Sequence, residues 1–597
     1  MYYVYRKLVV FFVSVLLLSS CEKREIVSLS GFVPVNVPAA LDSIIEIKNW
    51  LGLGPFEFDT VKIHPSMSFF IDDLKQYGVT EGTIDEVTIR KLQKKGVRGF
   101  IARQESSRIR MITHVDDGLE NKSHFYLVTK IISARPQKVT FMIDGSNSYA
   151  TWLNGEKLIE VRGKHSNTKI GDRFVNVSLI KGENMLFVKI NRGANLNSWH
   201  FIFNISSCQT AKRIFCTNYA GDFVVNPVVT DSFEVYAGPF LSGKVEVMDL
   251  KDQIVSFHSF ENQNTNDKPF PVYGLHGLKE GFYKTRLTVG DERIEEMIYK
   301  GDYDKFVAQA KVSVENSTGS NAFMEDLKAT MFFVDDCNTN ITAEDLESPS
   351  TMRRKNRNKV FWGYSLYSML EQEMPSTRIM TYQEETGNVS EFIFHANEKL
   401  QQNIPLVIIL PISLQGTLFL KEWYVSNLDQ IEPDNMLADQ YGFALALIYA
   451  KGKNYTAQKT EEEITSVIDR LGSEYDIDKH NIFLLGTCDG GRKALVQLSR
   501  TPEKYAACAL KAPITLTDGI DGIAVDLIPL MGKTPVIIEH GTHDDHISVE
   551  HSRIFVAKAK EQGLPVVYIE PNIGTVYANN DHNLFAFEFF RKIVMIK

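Results

Sequence analysis

A thiol, a carboxylate and an imidazole stand at telling positions in the last part of this chain. The thiol is Cys488, in the stretch NIFLLGTCDGGRKALVQL from Asn481 to Leu498. Gly486-x-Cys488-x-Gly490 follows an apolar run and opens an amphipathic one, so Cys488 falls on a turn from buried strand to helix. Such a turn is sterically tight, and the residues two before and two after its apex must be small for helix and strand to approach. A helix N-terminus favours the thiolate, and the amide of Asp489 would point at an oxyanion developing on an attacked carbonyl. Asp544 follows 56 residues later and His582 a further 38. Thiol, acid and base are the set that nucleophilic acyl transfer requires. Against this stands the plain reading of Cys488 as a small buried hydrophobe or the relic of a lost site.

The elements needed to position these groups are legible around them. From Thr377 to Lys597 short apolar runs alternate with helical patterns: PLVIIL, FALALIY, IFLLG, AACALKA, PVIIEHG and PVVYIEP. Runs of this kind are strands buried on both faces of a parallel sheet, and the alternation predicts an α/β domain. Between the second and third runs, TEEEITSVIDRLG predicts a helix with Thr460 and Glu463 as its capping box and Gly472 as its C′ stop. Asp544 then lies just past one predicted strand, and His582 lies between another and a helix. Cys508, in YAACALKAP, is expected in the core.

Nucleophile, acid, histidine is the chain order of the α/β-hydrolases. Residues from about Asn403 to the end resemble the catalytic domain of the prolyl-oligopeptidase and dienelactone-hydrolase branch of that superfamily. The phrases that carry the resemblance are GTCDGG at the elbow and HGTHDDHISVEHS at the acid turn. It implies that Cys488 attacks an acyl carbonyl and forms a thioester. His582 takes the thiol proton and later activates water, while Asp544 orients the imidazole and stabilises its cation. Asp545 is the alternative acid. Cysteine at the elbow occurs in the dienelactone-hydrolase branch. No cofactor is implied.

One position departs from the pattern. The first parallel strand of the family is followed by a His-Gly turn that supplies a second oxyanion amide. Here Pro411 and Ile412 stand there, and proline has no N–H, so the donor falls to Ile412 or to a later residue. Loss of one such donor typically costs about 10²–10³ in rate. His540, His543, His546 and His551, beside Glu539, Asp544 and Asp545, look like a metal cluster. In a strand-to-loop context they would not converge, so no metal is expected.

At 597 residues the chain is too long for one core. It opens with MYYVYRKLVVFFVSVLLLSSCEK: two cations, an apolar run from Leu8 to Leu18 too short to span a bilayer, then small residues before Cys21. This resembles a bacterial lipoprotein signal over residues 1–20. It implies a lipid on Cys21 and a chain anchored in the cell envelope, at the surface or periplasmic face of an outer membrane. Residues 41–210 read as β hairpins, with alternating Val139, Phe141 and Ile143 and turns at Asp144-Gly145 and Asn154-Gly155. NWLGLGPF and WLNGEKL resemble the galactose-binding-like jelly rolls appended to secreted carbohydrate-active enzymes. Trp152 and Trp199 are expected in that core, with sugar stacking the alternative.

Residues 211–300 resemble a small immunoglobulin-like sandwich, and 301–376 a helical connector with ESPSTMRRKNRNK as an exposed loop. Cys208 and Cys216 are close enough in sequence to pair. A net charge of −9 with no basic block argues against nucleic acid as a partner.

Three functions remain open from the residues. The first is a hydrolase of acyl esters, with the carbohydrate-enzyme resemblance favouring an ester-decorated polysaccharide. The second is a peptidase, although no propeller-like repeat precedes the last domain. The third is a glycan-binding lipoprotein whose hydrolase domain is a degenerate scaffold.

Overall fold

In a computed structural model of the chain, the described residues run from 34 to 596 except 42–43, 48, 58–73, 83–84, 106–107, 110–122, 146–147, 162–172, 192–200, 219–222, 239, 241, 262–268, 340–348, 385–386, 411–430, 449–455, 518–521, 543, 545–546 and 572–582. Cys21, Trp199, Ile412, His543, Asp545, His546 and His582 therefore lie outside them. Among the described residues no helix is long and apolar enough to cross a membrane.

Two sheets share the first core. One runs Arg108–Ile109, Gly99–Glu105, Asn49–Glu57, Ser123–Ser133, Gly182–Asn191, Tyr149–Leu153, Glu156–Val161, and the other Arg173–Leu179, Gln137–Gly145, Phe201–Ser206, Ile45–Glu46. Val139, Phe141 and Ile143 point into the shared interior against Trp50, Phe125, Leu127 and Val188, as their alternation predicts. Asn154 and Gly155 both take positive φ (52° and 87°), the geometry of a two-residue hairpin. Asp144 and Gly145 do not turn: they are the last ladder residues of their strand, paired with Ile202 and Phe201.

Trp152 faces the outer side of the larger sheet, and the segment around Leu74, Ile89 and Leu92 covers it. Its ring packs edge-on to Phe187, and a Cβ on Gly82 would come within 2.5 Å of it. This indole is core, not a sugar platform.

A five-stranded and a two-stranded sheet follow, built from strands between Val228 and Lys300. The opening of this region is helical rather than β: Cys208–Asn218 is an α-helix that inserts Phe215 between the first core and the second. Cys208 is free. On one helix, residues eight apart are separated by about 12 Å, beyond disulfide reach.

Three helices, Tyr303–Asn316, Asn321–Thr339 and Pro349–Leu370, form the connector. The third overturns the loop expected over ESPSTMRRKNRNK. Arg357 is buried in an ion pair with Glu432, and its neighbour Asn358 is buried as well.

The last sheet has eight strands: β1 (Thr377–Gln383), β2 (Val389–His395), β3 (Ile404–Leu410), β4 (Ala444–Ile448), β5 (Ile477–Thr487), β6 (Ala507–Lys511), β7 (Val536–Glu539) and β8 (Val566–Ile569). Their spatial order is β1-β2-β4-β3-β5-β6-β7-β8. The first two are antiparallel, and β4 to β8 run parallel with β3. Helices cover both faces, which is the mixed α/β architecture the alternation predicts.

On one face lie α1 (Glu432–Tyr441) and α5 (Leu584–Ile596), with Phe587 and Phe590 against Phe483 and Leu445. On the other lie α2 (Ala457–Gly472), α3 (Asp489–Arg500) and α4 (Glu550–Glu561). The connector helices continue the first face, seating Leu327, Trp362 and Leu366 over Ile379, Ile393 and Leu447.

Helix α2 begins one turn earlier than its sequence suggests. Thr456 is the cap, its hydroxyl accepting from the Lys459 N–H at 3.3 Å. Thr460 and Glu463 are buried inside the helix. Gly472 is its last residue, followed by Ser473 in the right-handed region rather than a left-handed stop.

Candidate active site

Strand β5 passes into α3 through a single residue, Cys488, with φ 57° and ψ −119°. A side chain in that region is strained, at about 1–3 kcal/mol, and persists only where its surroundings fix it. They do so from three sides. The Cys488 N–H donates to the Lys511 carbonyl (3.0 Å), and the Cys488 carbonyl accepts from Ile514 (3.1 Å) and Arg492 (3.3 Å).

The flanking glycines explain the motif. A Cβ on Gly486 would stand 2.4 Å from the Gly490 carbonyl oxygen, and one on Gly491 would stand 2.9 Å from Pro513 Cβ. Gly486→Ala should therefore push α3 off β5 and cost roughly 1–3 kcal/mol. Urea denaturation checks this, and stability equal to wild type would refute the packing account.

Cys488 is half-buried at the helix start, where the first N–H groups lack intrahelical acceptors and favour a thiolate. Asp489 is the first residue of α3, so its amide belongs to that set. Its carboxylate pairs with Arg492 (3.0 Å) and Lys493 (3.8 Å). Ala512, at the end of β6 next door, also takes positive φ (42°), held by its N–H to the Glu539 carbonyl at 2.8 Å.

Two strands along from the elbow, Asp544 lies past the C-terminal end of β7 with its side chain fully buried. Its Oδ1 accepts from the Ile547 N–H at 3.0 Å. His540 supports this turn. Its Nε2 sits 2.9 Å from the Ile547 carbonyl, which can only accept, so Nε2 carries the proton and Nδ1 accepts from Ser552 Oγ (2.7 Å). Burial keeps His540 below the usual histidine pKa, which suits that neutral form.

His551 is likewise a structural group. Its Nδ1 accepts from the N–H groups of Thr515 and Leu516 at 2.9 and 3.0 Å, and burial lowers its pKa. Both ring nitrogens of His540 and the Nδ1 of His551 are thus committed to the protein. Among the described residues no group of histidine, cysteine and acid could hold a metal.

Cys488 and Asp489 follow β5 and Asp544 follows β7, so they lie past the C-terminal ends of strands two apart in the sheet. His582 lies outside the described residues; the residue after it, Asn583, caps α5, its carbonyl accepting from Ala586 and Phe587. Cys508 is fully buried in β6, and burial pushes its thiol pKa well up.

Sequence reasoning missed three buried polar residues at this edge, Asp434 in α1, Lys511 ending β6 and Glu539 ending β7, and the half-buried Asn583 that Asp434 holds. A charged residue closing each of two apolar strand runs was the available signal for Lys511 and Glu539.

No protein-family profile matches the chain, and no curated protein is similar to it. Solved structures that overlay part of it include puromycin hydrolase, at 14% identity over 38% of this chain and 40% of that one, TM-score 0.29. An S-formylglutathione hydrolase from Agrobacterium tumefaciens overlays at 12% identity over 36% of this chain and 94% of that one, TM-score 0.31. Porphyromonas gingivalis dipeptidyl peptidase 4 overlays at 12% identity over 39% and 37%, TM-score 0.29. The chain spans about two fifths of the length of puromycin hydrolase. These overlaps are too slight to assign chemistry, so the site is read from its own residues.

Proposed function

We propose that the chain is a hydrolase that cleaves an acyl ester through a covalent thioester on Cys488. The observation that carries this reading is the strained, positive-φ Cys488 between β5 and α3, facing the same sheet edge as the buried Asp544. Nothing in packing requires a non-glycine residue in that conformation, and a reacting group there does.

In the proposed cycle His582 removes the thiol proton and Cys488 Sγ attacks the acyl carbon. The Asp489 amide, with Ile412 or a later residue, receives the oxyanion. The alkoxide leaves with the proton from His582, and water activated by the same imidazole releases the acid and regenerates the thiol. Asp544 holds the imidazole. The substrate we favour is an ester-decorated polysaccharide, and the chain is held at the cell envelope through a lipid on Cys21.

The first test needs no substrate. Alkylation of Cys488 by iodoacetamide, read by mass on its peptide, is followed against pH in wild type and His582→Ala. An ordinary thiol titrates near ~8.5. The expected result is an apparent pKa well below that in wild type, restored to the ordinary value by His582→Ala. A thiol that is inert, or that titrates normally in both, would sink the hydrolase and leave the glycan-binding scaffold.

A further inference from the structure

We propose that His551 is a positioning residue for the elbow: its neutral ring clasps the segment that holds Cys488, and protonation of that ring opens the clasp. The inference rests on the hydrolase reading above. Residues Lys511 to Leu516 run on from the end of β6 and grip the elbow on both sides of its apex. The Lys511 carbonyl accepts from the Cys488 N–H at 3.0 Å, and the Ile514 N–H donates to the Cys488 carbonyl at 3.1 Å. Pro513 lies against α3, where a Cβ on Gly491 would meet it at 2.9 Å. This segment therefore helps to impose the strained φ of Cys488.

Helix α4 fixes the far end of the segment. The consecutive N–H groups of Thr515 and Leu516 converge on one acceptor, His551 Nδ1, at 2.9 and 3.0 Å. The hydroxyl of Thr515, a fully buried residue, donates to the His551 carbonyl. Two adjacent amides aimed at one point suit a lone pair and oppose a cation. A neutral imidazole with its proton on Nε2 offers that lone pair. An imidazolium does not, because both its nitrogens donate.

The surroundings keep the ring neutral. Its pKa is lowered, first by burial and then by the charge of His540. The other charged groups packed about it among the described residues are paired elsewhere. Lys511 and Glu539, closing the strands beneath, stand 3.9 Å apart. On its own helix, Arg553 bonds Glu550 and Glu570. Asp526, in the 3₁₀ helix Ala524–Leu530 packed on α4, pairs with Lys558 at 2.8 Å. The clasp is whole above the ordinary histidine value of ~6.5 and opens as the pH falls through the lowered one. Once it opens, the turn can relax, and the sulfur leaves the α3 N–H groups that favour a thiolate.

The test uses the full chain and the iodoacetamide profile of Cys488 between pH 4.5 and 8.5. His551→Ala removes the acceptor and should slow alkylation at pH 7 by roughly two- to fivefold, the worth of a helix N-terminus to a thiolate. His551→Asn sets an oxygen near the place of Nδ1, accepts at every pH and should match wild type at pH 7 and above. As the pH falls below ~6.5, wild type should leave the His551→Asn profile and approach that of His551→Ala. His540 is present in all three, so its own titration cancels in their ratios.

His551→Ala with a wild-type profile, even with a lower melting temperature, would mean a purely structural role and overturn the proposal. So would a wild type that tracks His551→Asn throughout. If His551→Ala does not fold, wild type against His551→Asn decides alone. A wild-type thiol that is inert, or that titrates near ~8.5, would sink the hydrolase reading first and this inference with it.

Discussion

Cys488→Ala should abolish acyl-ester hydrolysis, by on the order of 10⁴-fold or more, while the protein stays folded. The turn leaves no substitute for the sulfur. Thr487 is the last residue of β5, and Asp489 is held by Arg492 and Lys493. Water alone, aided by the oxyanion amides, would give only the small residual rate that such sites retain. Cys488→Gly should be equally inactive yet more stable by about 1 kcal/mol, because glycine takes φ 57° without a Cβ penalty and gives back only part of that in chain entropy. Hydrolysis of a panel of p-nitrophenyl acyl esters and urea melts of the three proteins test both halves. Undiminished turnover in Cys488→Ala would refute the nucleophile. A glycine variant less stable than wild type would refute the strain.

A chain cut to residues 377–597 should fail to fold as a soluble monomer, whereas one that begins at 302 should fold. The sheet face over β1, β2 and β4 is completed by the connector helices, with Leu327, Phe333, Trp362 and Leu366 fully or almost fully buried in that contact. Removing them would expose a contiguous apolar face, the kind of surface that drives aggregation.

A polar rivet reinforces the contact. Asp326 Oδ1 accepts from the Thr381 N–H and hydroxyl at 2.6 and 2.7 Å, and its Oδ2 meets Arg470 at 2.8 Å. In the full chain Asp326→Ala would take one of the carboxylate partners from the half-buried Arg470 guanidinium. Truncating one partner of such a pair costs about 3–5 kcal/mol, and somewhat less here, because Arg470 keeps Glu474 and the Thr381 carbonyl. Size-exclusion chromatography of the two fragments and denaturant titration of Asp326→Ala measure these effects. A monomeric, cooperatively melting 377–597 fragment would contradict the account.

The parallel strands were readable because burial on both faces leaves near-continuous apolar runs such as PLVIIL. The elbow was readable because its steric demand falls on residues local in sequence: Gly486, which meets the Gly490 carbonyl, and Gly491. What escaped was decided by distant partners. The polar run after Pro349 looked like a loop because Glu432, which neutralises Arg357, lies 75 residues away. The start of α2 was misplaced because Thr456 and Thr460 are both credible caps, and only the packing of Thr460 and Glu463 inside the structure selects Thr456. Asp434 and Asn583 stand 149 residues apart, so nothing local announces their bond.

The location of Cys508 bears on how the proposed nucleophile would age. Its strand register places it opposite Leu484, four residues down β5 from Cys488, a distance of about 13 Å. A peroxide that converts Cys488 to a sulfenic acid would find no thiol there close enough to form a disulfide. Nor would it find a thiolate, because burial keeps the Cys508 proton in place. The oxidised sulfur is then open to a second oxidation, to the sulfinic acid, from which simple reductants do not recover it. Cys508 cannot rescue the site, and reduction falls to other thiols.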